Sequence, residues 1–95
     1  MTVLYPVLVK WSDRKREMLP TSGQYSTVAR FAQDAKAWPS EGWSVVLHIR
    51  GDVHADPCLA DARFLSEFAP EERFKSGVDF ELLEGQCVVA KVHVI

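Results

Sequence analysis

The chain has 95 residues, a formal net charge of −2, 47% hydrophobic and 25% charged residues. These proportions exclude intrinsic disorder, collagen and coiled coil, and the length suits one domain covering 1–95. Residues 1–38 hold six basic groups against three acids and residues 39–95 five against ten. A pI near 5.9 argues against a dedicated nucleic-acid binder but leaves room for a local basic patch.

No apolar run approaches the ~18 residues of a membrane span. The opening MTVLYPVLVKWSDRKRE lacks the basic lead and small-residue cleavage site of a secretory signal. A cytoplasmic protein without membrane contact is expected, with Cys58 and Cys87 as reduced thiols.

Period-two patterning runs through the chain. Val3, Tyr5, Val7, Val9 and Trp11 share one parity and stop at the polar run Ser12 to Glu17, a strand entering an exposed loop. Pro6 offers no ladder donor, so that strand should have a free edge or a bulge there. Residues 26–38 fit two patterns. Tyr25, Val28, Ala29, Ala32, Ala35 and Trp38 follow a helical period, with Ser26 or Thr27 as a cap. The β-branched and aromatic run Tyr25 to Val28 instead favours a strand over 24–31, then a loop over 32–42 ended by Pro39 and Gly42.

Trp43, Val45, Leu47 and Ile49 alternate with Ser44, Val46, His48 and Arg50, and the turn pair Gly51-Asp52 follows. Trp43 is expected in the core. Ala60, Ala62, Phe64, Ser66 and Phe68 form one side of a half-solvated strand that Pro70 closes. Val78, Phe80 and Leu82 oppose Asp79 and Glu81 across a pleat, Glu84-Gly85-Gln86 turns the chain, and Val88, Ala90, Val92 and Val94 return with Lys91 and His93 outward. A one-residue slip of this hairpin would bury Glu81 and Lys91, which pins its register. Six short strands at this spacing predict an all-β fold, a six-stranded antiparallel β-barrel, because closure removes edges that so small a sheet could not cover.

Few residues carry chemistry. His48, His54, His93, Cys58 and Cys87 show no metal-ligand spacing; His48 and His93 fall on outward strand positions and Cys58 in a loop. No metal, cofactor or catalytic residue is assigned, and an enzyme is not expected. Glu71 and Glu72, beside Arg73, read as solvated loop acids rather than a general acid-base pair. The five glycines stand apart, so no phosphate-cradling loop is present. Arg14, Lys15 and Arg16 are the dense cation cluster, with Arg30 as a fourth member, and suit a phosphate or an acidic protein surface. Of the three tryptophans, Trp38 before Pro39 suits an exposed interface anchor.

The run Phe74-Lys75-Ser76-Gly77-Val78-Asp79-Phe80-Glu81-Leu82-Leu83-Glu84-Gly85-Gln86-Cys87-Val88-Val89-Ala90 resembles the last hairpin of the third domain of bacterial elongation factor Tu. There a Pro-Gly loop leads to a Phe-x-Ile-x-Glu-Gly-Gly hairpin and a Val-Gly return strand. The opening strand, polar loop and Ser22-Gly23 before the next strand follow the same order. Trp43 to Leu47 and Asp61 to Leu65 also resemble small free-standing bacterial proteins of this barrel type. The resemblance implies a six-stranded antiparallel barrel. In the factor that domain grips the backbone of aminoacyl-tRNA and contacts the exchange factor. Here Leu83 stands for the arginine before Glu-Gly-Gly, Gln86 for the second glycine and Cys87 for the following arginine. Gly23-Gln24-Tyr25-Ser26 replaces Gly-Tyr-Arg-Pro, so the phosphate-neutralising cations are missing. The resemblance does not reach the GTPase domain and implies no nucleotide. The expectation is a non-catalytic module binding another protein through Arg14, Lys15, Arg16, Arg30 and Trp38. Its alternatives are residual tRNA or RNA-backbone binding through the basic loop, or an immunity or antitoxin role.

Overall fold

The computed structural model describes residues 3–19, 23–31, 43–66 and 74–95. Six strands appear in chain order: β1 Tyr5–Trp11, β2 Gln24–Phe31, β3 Trp43–Ile49, β4 Cys58–Phe64, β5 Asp79–Glu84 and β6 Cys87–Val94. All neighbours are antiparallel, and the order β1-β4-β3-β2-β5-β6 closes into a barrel. The expected all-β barrel is therefore present, and the second strand spans the expected residues. The proposed loop 32–42, with Trp38, lies outside the described residues, as do Phe68, Pro70, Glu71, Glu72 and Arg73.

Alternation explains the interior. Val7, Val9 and Trp11 of β1 face Ala60, Ala62 and Phe64 of β4 and Ala90, Val92 and Val94 of β6 within one buried cluster. At one mouth, Phe74 plugs the barrel: its ring lies 4.4 Å from Phe64, 5.0 Å from Tyr5, 5.7 Å from Phe80 and 6.0 Å from Phe31. Trp43 packs against this cluster while only half-buried, so it rims the core rather than filling it. At the other mouth Trp11 meets Tyr25 edge-on at 5.4 Å.

Besides Trp43, four expectations change. Pro6 gains no free edge, because β1 pairs on both sides; its carbonyl accepts from Ile95 N at 3.0 Å, beyond the last β1–β6 register pair, where a missing donor breaks no interior rung. Cys58 is not in a loop but opens β4 opposite Val9, fully buried. β4 ends at Phe64, short of the expected Ser66 and Phe68; Leu65 N still bonds Ser44 O at 2.9 Å, but Leu65 and Ser66 are exposed. Finally, Val88 does not face inward. The register shifts between Leu82, opposite Ala90, and Leu83, opposite Val88. This β-bulge puts Val89 beside Ala90 in the core and turns Val88 out. The freed Val89 carbonyl accepts from Ser12 N at 2.8 Å, tying down the end of β1.

Gly85 and Gln86 make the two-residue turn between Glu84 and Cys87. Gly85 has φ +65° and Gln86 does not have positive φ, the signs of a type II′ hairpin turn, whose first central position suits glycine.

Candidate functional site

Because the interior is filled, the side chains open to contact from outside lie on the outer wall. β1 and β6 alternate strictly there, so the register sets the outward side chains in rungs. One rung crosses β4, β1, β6 and β5 as Leu59, Leu8, His93 and Asp79. The next crosses β1, β6, β5 and β2 as Lys10, Lys91, Glu81 and Arg30. Above Leu8 on β1 stand Pro6 and, just ahead of the strand, Leu4. A cleft of about 670 Å³ lies over these rungs, with Pro57 on its β4 side. A smaller one of about 270 Å³ continues past Lys10 and Lys91 toward Ser12 and Asp13.

Three of the exposed large hydrophobic residues fall on this wall. Leu59, 37% exposed, is the register partner of the half-buried Leu8, while Ile95, 51% exposed, stands at Pro6, the next outward position of β1, and Leu4, 45% exposed, precedes it. The charges around them are mostly matched. Arg30 Nη2 lies 2.5 Å from Glu81 Oε1, and His93 Nδ1 lies 2.7 Å from Asp79 Oδ1. Lys10 and Lys91 sit directly opposite each other, both exposed, and neither has an ion-pair partner among the described residues. Like charges placed so close across strands destabilise the pairing.

The basic cluster expected from sequence is spread differently. Arg14 is exposed and has no ion-pair partner among the described residues. Lys15 and Arg16 begin a short 3-10 turn, Lys15–Met18, that folds both charges back onto the barrel. Lys15 Nζ lies 2.6 Å from Glu84 Oε2 and 4.8 Å from the centre of the Tyr25 ring. Arg16 lies 3.0 Å from Asp56. Arg30 stands on β2, with β6 and β5 between it and β1, on the wall described above. The structure therefore does not bring Arg14, Lys15, Arg16 and Arg30 into one patch, and Trp38 is outside the described residues.

Glu84 is the hub at this mouth. It accepts hydrogen bonds from Lys15 and from the Tyr25 hydroxyl. The Lys15 bond, helped by that of Tyr25, holds the Glu84 carboxyl below the usual carboxylate range. Burial, with the adjoining Glu84 carboxylate, pushes the Tyr25 phenol far above its ordinary value. Burial also raises the Cys58 thiol, partly offset by the Trp11 indole N–H, which is itself buried without a well-aligned acceptor. Cys58 is thus held as an inert thiol. On the β3–β4 wall, Arg63 Nε donates to His48 Nε2 at 3.2 Å, and Arg50 Nε donates to Asp61 Oδ2 at 2.6 Å.

Among the described residues, no three His, Cys, Asp or Glu side chains converge as metal ligands, and no helix is long and apolar enough to cross a membrane. Comparison of the chain with protein-family models, with curated proteins and with solved structures gave no match.

Sequence reasoning missed Leu8, Lys10 and Lys91 as neighbours. The signal for Leu8 was there: it is the apolar residue on the outward parity of β1, between Pro6 and Lys10. That Lys10 faces Lys91 depends on closure of the first strand onto the last, across 81 positions of sequence, which no local pattern encodes.

Proposed function

We propose that this barrel is a non-catalytic module that binds another protein through the outer wall of β4, β1 and β6. The observation that carries the reading is that Leu4, Leu8, Leu59 and Ile95 project on the outward parity of adjoining strands, outside a barrel whose core is already filled. Both signs of charge rim this surface, which suits a protein face better than a lipid headgroup layer. The sequence resemblance to the third domain of elongation factor Tu supports the same reading, since that domain type works by contact rather than by chemistry.

The non-catalytic half rests on how the reactive groups are occupied. Cys58 is buried as a thiol, His48 Nε2 accepts from Arg63, and Tyr25 is tied to Glu84. His93 and Asp79 form a base-and-orienter pair, but they are 48% and 77% exposed, on an open wall rather than in a water-excluded cavity. RNA binding is the weaker reading, because Lys15, Arg16 and Arg30 spend their charge on Glu84, Asp56 and Glu81.

A photo-crosslinking residue placed at position 59 should trap a discrete protein from the native lysate, while one at position 26 on the opposite wall should not. Leu59→Asp with Leu4→Asp should abolish that capture and leave the far-UV spectrum unchanged. Identical capture from both positions, or capture indifferent to the double substitution, refutes the reading.

A further inference from the structure

The chemistry of the partner segment follows from the two unmatched lysines. Resting on the module reading above, we infer that the β1–β6 wall receives a short acidic segment of the partner. Its carboxylates meet Lys10 and Lys91, and a neighbouring apolar side chain enters the cleft beside Leu8 and Pro57. Three observations combine. Arg30 and His93 already have acids at 2.5 and 2.7 Å, so the uncompensated charge of this wall is concentrated on one cross-strand pair. That pair repels itself in the free protein, and an incoming carboxylate relieves the repulsion as it binds. The lysines lie between the 670 Å³ and 270 Å³ clefts, so an extended segment can run along β1 with its acids centred on the pair.

The same geometry disfavours a continuous polyanion. Asp79 and Glu81 flank the lysines on the β5 side, and Asp13 stands at the end of the smaller cleft. A chain of phosphates extending beyond the pair would meet these carboxylates. A nucleic-acid backbone needs a longer cationic track, whereas one or two side-chain carboxylates do not.

The test uses the whole chain, isotopically labelled for amide NMR, and three probes: a Gly-Leu-Glu-Glu-Leu-Gly peptide, its Gly-Leu-Gln-Gln-Leu-Gly counterpart and an oligouridine. The glutamate peptide should shift the amides of Leu8, Lys10 and Lys91 and bind about tenfold more tightly than the glutamine peptide, with affinity falling as salt rises. Lys10→Glu with Lys91→Glu should lower that affinity by about tenfold or more, while Lys10→Arg with Lys91→Arg should retain it. Equal binding of the two peptides, tighter binding of oligouridine, shifts confined to another wall, or no shift at millimolar peptide would each overturn the inference. The two readings fail separately. If lysate capture at position 59 survives the double charge reversal but is lost with Leu59→Asp and Leu4→Asp, the module stands and its acidic selectivity falls.

Discussion

Replacing Lys10 by glutamate should make the barrel more stable, although Lys10 is proposed to serve binding. Lys10 and Lys91 are register partners on β1 and β6, so their Cβ atoms stand ~5 Å apart, and a charge separation of ~7 Å is taken for two flexible stems that splay apart. Two unit charges at that distance in a water-like medium repel by roughly 0.6 kcal/mol before screening. Reversing one charge turns the repulsion into a similar attraction, a change of about 0.9 kcal/mol at 10 mM salt, about 0.5 kcal/mol at 150 mM and close to zero at 1 M. For a domain of this size the gain corresponds to a Tm rise of roughly 4–7 °C at 10 mM salt and half that at 150 mM. Thermal melts of wild type, Lys10→Gln and Lys10→Glu at the three salt concentrations give the answer, with the glutamine variant falling midway. A Lys10→Glu protein no more stable than wild type at 10 mM, or a gain that persists at 1 M, refutes the argument. A confirmed gain means that the wall carries two cations at a cost in stability, which fits a role in binding rather than in folding.

Three further outcomes follow from the structure. Phe74→Ala should cost about 3–4 kcal/mol, because the ring is 3% exposed among four aromatic partners, whereas Phe74→Leu should cost under half as much; urea titrations compare them. Gly85→Ala should cost roughly 1–2 kcal/mol in the same assay, purely from the φ of +65°, since nothing lies within 4 Å of the added carbon. At the Tyr25–Glu84 hub the two pH directions differ. Glu84 has a lowered folded pKa, so its contribution is present above the ordinary carboxylate range and fades as pH falls through the folded value. Tyr25 has a raised one, so its contribution is complete below about pH 10 and fades as pH rises beyond it. Denaturation midpoints against pH should therefore lose an acid-side component in Glu84→Gln and an alkaline-side component in Tyr25→Phe.

Much of the barrel was legible because alternation is a local signal. Val45, Leu47 and Ile49 share a side that the local pattern decides without a neighbour, and Gly85 between two alternating runs announced its hairpin. The misreadings arise where long-range geometry overrides the local period. Val88 kept the right parity for an unbroken strand, but the bulge at Val89 reverses facing from that point, and no residue type there forbids a regular ladder. Cys58 read as loop because the polar stretch around Gly51-Asp52 masked how early the chain re-enters the sheet opposite Val9. The basic loop was found by composition, yet its charges are absorbed by Glu84 and Asp56, acids far off in sequence. Lys91 was read as outward and Lys10 only as one of the basic groups of the first 38 residues, and only the closing seam makes them a pair.

That seam has one more implication. With each of the six strands paired to a neighbour on both sides around a closed ring, the sheet has no free edge strand for an incoming polypeptide to extend. Selectivity must reside wholly in side chains projecting from a rigid cylinder. Point changes at positions such as 8, 10, 59 and 91 can then redirect the surface toward a different counterpart without disturbing the hydrogen-bonded frame.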